Sequence, residues 1–275
     1  MEFWIGFLRL LDTRMEQPQP YGWFHFISIG LFILAAILLC ITHKKGDVRR
    51  VHLVVQLTAV VTLILEIYKQ VNFSFQIVDG TVTFDYAWYA FPFQFCSTPL
   101  YAGLLAAMSR NGKLHRAMCA YLATYAVFAG ICVMCYPVTV FTSTIGINIQ
   151  TMFCHGSMIT VGVYLLYSGY VKLEHKTILK ALPVFLAAMA IAMVLNELAY
   201  VTGLLETDEF NMFFISPYCE PSLPVYSLIQ PLLPYPVCLM IYGSCFTLAA
   251  YLILLIAMSI SRVWKNIKNR QLVSM

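Results

Sequence analysis

The chain has 275 residues, 60% of them hydrophobic and 11% charged, with a mean hydropathy of +0.77. Such a composition describes a polypeptide that uses lipid as its solvent and argues against a water-soluble globular enzyme. The net charge of +4 comes from short basic segments between apolar runs, so it marks topology, and no nucleic-acid partner is expected.

No cleavable signal peptide is expected, since the first eleven residues, Met1 to Leu11, lack a basic n-region. Phe3, Trp4, Phe7 and Leu8 suit a short interfacial helix with these side chains toward lipid, ahead of the Gln17-Pro18-Gln19-Pro20 stretch. Seven apolar stretches follow, at residues 23–42, 52–71, 86–108, 117–141, 149–171, 179–204 and 232–260. Each is long enough, at ~1.5 Å per residue, to cross ~30 Å of hydrocarbon. The expected fold is all-α: one membrane domain over residues 1–275, with a seven-helix bundle at 21–260 and a basic tail at 261–275.

Fourteen of the seventeen Lys and Arg residues fall into four of the connecting segments. These are Lys44, Lys45, Arg49 and Arg50; Arg110, Lys113 and Arg116; Lys172, Lys176 and Lys180; and Arg262, Lys265, Lys268 and Arg270. The positive-inside bias places all four in the cytoplasm, the N-terminus outside and the C-terminus inside. Glu206, Asp208 and Glu209, among other acidic residues, fall in the opposite set of segments, in agreement with that orientation.

One connection stands apart. Residues 205–231 carry Pro217, Pro221, Pro224 and Pro231 among apolar side chains from Phe210 to Leu223, too apolar for a solvated linker and too proline-rich for a long helix. They are expected to form a lid on the outer face. An interfacial loop that dips its aromatics into headgroups is the plainer alternative.

Nine cysteines, most of them within spans, read as small buried hydrophobes and not as a disulfide framework. The Cys132/Cys135 CxxC is assigned to core packing for the same reason, since no βαβ context surrounds it. Ionisable groups inside spans are costly and by default mark function. Given the topology, Cys96 in the third span and His155 in the fifth reach similar depth toward the outer side. Glu66, Lys69, Asn196 and Glu197 come late in spans that run outward, and His25, Gln94, Asn148 and Gln150 join them from other directions. A polar crevice opening outward is the economical account. Each residue also has an ordinary reading: Glu66 and Lys69 as a self-neutralising i,i+3 pair, His25 as an interfacial belt residue, His155 as a satisfied core histidine.

Cys with His is the minimal nucleophile and base, and in a crevice facing lipid the available carbonyls are acyl esters. Residues Phe91-Pro92-Phe93-Gln94-Phe95-Cys96-Ser97 resemble the Pro-Leu-His-Leu-Cys segment of the bacterial YwaF family of membrane proteins. Gln150-Thr151-Met152-Phe153-Cys154-His155 is similar to the segment carrying that family's membrane-embedded His. Asn211-Met212-Phe213-Phe214, then Pro221-Ser222-Leu223 and Leu233-Pro234-Tyr235-Pro236, is similar to its run ahead of the last span. The superfamily includes the eukaryotic transmembrane protein 164, regarded as a cysteine-dependent phospholipid acyltransferase. The resemblance implies Cys96 as nucleophile, His155 as base and, for this chain, a bacterial cytoplasmic membrane. Gln94 stands where that family has His, and an amide can donate a hydrogen bond but cannot shuttle a proton.

The combined expectation is transfer of an acyl chain from a phospholipid, through a Cys96 thioester, to a lysolipid or other hydroxyl acceptor, without coenzyme A, cofactor or metal. Gln94, Gln150 and Asn211 are candidate oxyanion donors, and Asn196, Glu197 and His25 are further substrate-binding candidates. If water replaces the acceptor the enzyme is a lipase. The alternative is a lipid or small-solute carrier, or a receptor, using the same crevice without covalent chemistry; a metal site from Cys96, Cys135, Cys154 and His155 ranks lower.

Overall fold

A computed structural model describes residues 2–203 and 210–273. In chain order the helices are α1 (Glu2–Leu11), α2 (Trp23–Ile41), α3 (Val48–Asn72), α4 (Thr98–Ser109), α5 (Gly112–Leu122), α6 (Tyr125–Cys135), α7 (Ile145–Tyr167), α8 (Lys176–Thr202), α9 (Pro224–Ile229) and α10 (Tyr235–Val273). Between α3 and α4 lies a hairpin, β1 (Phe75–Val78) paired antiparallel with β2 (Thr81–Phe84). Its two-residue turn is Asp79-Gly80, both with positive φ, as the Asp-Gly turn of a tight hairpin requires.

Among the described residues, six helical stretches are long and apolar enough to cross a membrane: α2, α3, α5 with α6, α7, α8 and α10. The stretch at 86–108, expected as one span, is not one helix. It consists of extended chain, 3-10 turns at Trp88–Ala90 and Phe95–Ser97, and the twelve-residue α4. Two prolines account for the break. Phe91 is held extended (φ −49°, ψ 134°) by the Pro92 ring that follows it, and Pro99 sits in the first turn of α4, where its missing N–H costs nothing. Irregular backbone at this depth must be satisfied by protein. Gln70 Nε2 donates to the Ala90 carbonyl (3.0 Å) and Tyr101 Oη to that of Pro92 (2.5 Å).

α5 and α6 form one broken span that ends at Cys135, ahead of Pro137 and earlier than the expected residue 141. The break at Ala123–Thr124 lies where Gly162 of α7 meets the chain: a Cβ on Gly162 would stand 2.7 Å from the Leu122 carbonyl. α7 starts at Ile145, so His155 lies near the middle of the helix and deeper than expected. α1 exposes Phe3, Trp4 and Phe7, but Leu8 turns inward at 8% exposure while Leu10 takes the outer face. The expected basic tail is helical, because α10 runs on to Val273.

α7 and α5–α6 form the centre, with 78% and 72% of their most apolar residues buried, against 17–28% for α2, α3, α8 and α10. Those four therefore present most of their surface to lipid. Small residues set the close contacts of the centre. A Cβ on Gly130 of α6 would lie 2.6 Å from the His155 carbonyl, and one on Gly156 would meet the Phe32 ring of α2.

Hydrogen bonds sort the connections into two ends. At one, Tyr68 near the end of α3 bonds the Leu11 carbonyl (2.7 Å), Arg14 bonds Ser143 just ahead of α7 (2.7 Å), and Tyr21 bonds the Cys135 carbonyl at the end of α6 (2.9 Å). At the other, His43 after α2 bonds Tyr164 (2.9 Å), Tyr170 joins His52 (2.7 Å) and His115 (2.5 Å), and His175 bonds Tyr251 of α10 (2.6 Å). The His115 ring also bonds the Ala106 carbonyl (2.9 Å), so α4 finishes at this second end.

Candidate functional site

Between α3, α4, α7 and the α5–α6 break lies a cavity of about 300 Å³, within the range of small-ligand sites. Its wall runs along α3 from Val55 to Phe73, ~27 Å at ~1.5 Å per residue. The deep part is apolar, lined by Val55, Ala59, Leu122 and Val161. Farther along come Cys96, Cys154 and His155, with Glu66, Lys69 and Gln150 beyond them.

Cys96 enters this cavity because the chain there is broken. It occupies the 3-10 turn that precedes α4, is half-buried and carries a free thiol, with Ser97 beside it in the same wall. His155 comes from the continuous helix α7 opposite. Its Nδ1 lies 2.8 Å from the Thr151 carbonyl one turn back. A carbonyl only accepts, so Nδ1 carries the proton and Nε2 holds a lone pair. That Nε2 is buried and has no hydrogen-bond partner among the described residues.

Glu66 and Lys69 form the expected i,i+3 ion pair at 2.7 Å, almost wholly buried. Gln70 donates to one Glu66 oxygen (2.8 Å) and Gln150 to the other (3.4 Å). Gln150 also reaches Cys154 Sγ (3.4 Å). Charge in this part of the bundle is thus paired and held in a network, which its low-dielectric surroundings demand.

The other anticipated residues lie elsewhere. Gln94 Nε2 donates to the Asn211 carbonyl (3.0 Å) and its Oε1 accepts from the Phe213 N–H (3.1 Å). Asn196 does the same for Met212, Nδ2 to its carbonyl (3.0 Å) and Oδ1 from its N–H (2.8 Å). Asn211 Oδ1 accepts from the Ser216 N–H (2.9 Å). The three amides therefore clamp residues 210–216, and none of them lines the cavity. Phe213, with positive φ, is fully buried against the rings of Phe95, Phe185 and Phe93, so this part of the loop plugs the bundle next to the Cys96 turn. Glu197 accepts from Tyr218 Oη (2.7 Å), which pushes that phenol up from its ordinary value, and Tyr218 stacks on Tyr200. His25 is fully buried: its Nδ1 accepts from the Tyr21 N–H (3.2 Å), so its Nε2–H donates to the Met134 carbonyl (3.1 Å).

The acidic residues Glu206, Asp208 and Glu209 lie outside the described residues. Cys132 and Cys135, assigned to core packing by their place in an apolar run, are exposed on α6, because α7 covers the opposite face of that helix. Sequence reasoning placed Lys69 as a neutralised partner and gave Ser97 no role, yet both line the cavity with Cys96. The signal for Lys69 was its position inside a span; for Ser97 it was adjacency alone.

No curated protein matches the chain, and no solved structure does. The model of the TMEM164 family matches residues 20–258. With the match reaching from the start of the bundle into α10, the chain belongs to the TMEM164 family of membrane proteins.

Proposed function

We propose that the protein transfers acyl chains between membrane lipids through a thioester on Cys96, with His155 as the base. One observation carries this: the Nε2 lone pair of His155 is buried without a partner in a wall of the cavity that Cys96 also lines. Left unpaired, a buried acceptor costs ~1–3 kcal/mol. A base that must take a proton from a thiol needs such a free lone pair, with the other nitrogen tied to a carbonyl that fixes the tautomer.

In the first half-reaction His155 Nε2 takes the Cys96 proton and the thiolate adds to the ester carbonyl of a phospholipid. Collapse breaks the carbon–oxygen bond of the ester, and the departing lysolipid oxygen recovers the proton from the imidazolium. In the second, an acceptor hydroxyl gives its proton to His155 and attacks the thioester, and the thiolate leaves and is reprotonated. Gln150, Ser97 and the Lys69 ammonium are the donors in the cavity wall for the tetrahedral oxyanion. The apolar deep end receives the acyl chain. A groove of about 330 Å³ between α3 and α4 shares Glu66 and Leu100 with the cavity and supports lateral entry from the bilayer.

Seven crossings with the N-terminus outside belong to the same reading. α4 ends beside His52 and His115, while the hairpin leaves α3 at its other end, so the broken segment supplies the crossing that no single helix does. All four basic clusters then fall on the side of α4's C-terminus.

Protein purified from lipid is expected to carry a fatty-acyl mass on Cys96 that neutral hydroxylamine releases. Cys96→Ser should abolish it, and His155→Ala should slow acylation ~10²–10⁴-fold. Cys132→Ala, on the exposed face of α6 and outside the cavity wall, should leave turnover nearly unchanged. Lipid exchange undiminished in Cys96→Ser would instead identify a carrier that works without covalent chemistry.

A further inference from the structure

A second cavity, of about 510 Å³, adjoins the first at the end of the bundle where α1 lies. The two share Phe73, Thr142 and Ile147 as a common wall. The lining differs in kind: Arg9, Asp12, Arg14, Asn72, Gln76 and Ser143 make it polar where the first is largely apolar. The chamber is built, not incidental. Arg14 donates to Asp12 (2.7 Å) and Ser143 (2.7 Å), Thr144 donates to the other Asp12 oxygen (2.8 Å), and the Met15 and Ile145 N–H groups bond the Ser143 and Thr13 carbonyls. Gly146 belongs to this framework, because a Cβ there would collide with the Tyr68 hydroxyl, which holds the Leu11 carbonyl.

Asp12 neutralises Arg14, so the chamber keeps one uncompensated positive charge, that of Arg9, which has no carboxylate partner among the described residues. Along the bundle the order is therefore an apolar tube, a stretch lined by Cys96 and His155, the buried Glu66–Lys69 ion pair, and a polar chamber with a spare cation. A glycerophospholipid has the same order: acyl chain, ester carbonyl, phosphodiester.

We propose that this chamber is the headgroup site for a glycerophospholipid, with Arg9 as counter-ion to its phosphate. The assignment rests on the acyl-transfer reading for the lipid's orientation but not for its binding. The phosphate would accept charge-assisted hydrogen bonds from the Arg9 guanidinium, while Asn72 and Gln76 present neutral donors to the remainder of the headgroup.

The test measures binding in the full-length Cys96→Ser protein in neutral detergent, where no turnover intervenes. The probes are a glycerophospholipid with one fluorescent acyl chain and the diacylglycerol carrying the same two chains. The expected result is tighter binding of the phospholipid, weakened about tenfold by Arg9→Gln, with diacylglycerol binding unchanged. Arg9 is exposed and has no ion-pair partner among the described residues, so the variant should fold as the parent does, and an unchanged Tm checks this. Equal loss for both probes, or no loss for either, would overturn the assignment. So would displacement of the headgroup preference by millimolar inorganic phosphate alone, which would mark a site for a soluble anion. If acyl-enzyme is never found yet the Arg9-dependent preference holds, the headgroup site stands and the acyl-transfer reading falls.

Discussion

His25 and His155 look alike in sequence: each is a lone imidazole in an apolar run. The structure separates them by their second nitrogen. His25 has both nitrogens bonded, one to a carbonyl 109 residues away, whereas His155 has only Thr151. A partner so distant in sequence leaves no local signal, which is why His25 read as an interfacial or substrate-binding residue and not as a buried, fully bonded one. The same holds for Gln94, Asn196 and Asn211. Their amides were legible as polar groups at the right end of the bundle, but that their partners are the buried backbone groups of residues 211–216 was not. The contrast yields a prediction at this scale. His25→Ala should lower stability by about 2–4 kcal/mol, since it removes two hydrogen bonds and strands the Met134 carbonyl, read as a lower Tm. His155→Ala loses a single hydrogen bond, so its stability cost should be smaller, and its effect should fall on acylation rate.

Among the elements, the apolar runs located most helices closely, because hydropathy records length and composition. The third run shows what it does not record. Residues 86–108 are long and apolar enough for a span, yet Pro92 fixes an extended residue before it and Pro99 starts a new helix. Read as boundary markers, the two prolines would have placed Cys96 on a turn ahead of a new helix. Gly130 gives a second element-scale expectation. Its missing Cβ lets α6 approach the His155 carbonyl, so Gly130→Ala should push α6 from α7, at a cost of ~1–3 kcal/mol. Because the displaced turn carries His155, the proposed acyl-enzyme formation should fall more than the loss of stability alone explains. Equal activity per folded molecule would show that the spacing of α6 and α7 does not position His155 for the proposed reaction. Asn196→Leu tests the lid in the same way: loss of both bonds to Met212 should open residues 210–216 to protease while the bundle stays protected.

For the molecule as a whole, the basic residues were the most informative part of the sequence, and the structure gives them a common address. His43, His52, His115 and His175, each bonded to a tyrosine, gather the ends of α2, α4 and α7 with the starts of α3, α5 and α8. The clusters at 44–50, 110–116 and 172–180 lie in those same connections, and the cluster at 262–270 lies beyond Tyr251 on α10. α10 has 39 residues, ~58 Å at ~1.5 Å per residue, about twice what ~30 Å of hydrocarbon needs. Its basic part must therefore project beyond the bilayer on that side. With α4 ending beside His115 and the hairpin leaving α3 at its other end, a crossing of the chain from Asn72 to Asn111 is the reading to test. If it turned back, Asp79 at the hairpin tip and Lys113 at the start of α5 would share a side, and the positive-inside bias would be violated at every later cluster. Single cysteines at 79, 113 and 265, in a background lacking the exposed Cys132, Cys135 and Cys245, are expected to react with a membrane-impermeant maleimide from outside only at 79. Outside labelling at both 79 and 113 would make the Cys96 segment re-entrant and leave six crossings. The headgroup chamber and the Cys96 turn would then need to be reached from the same face by a different route.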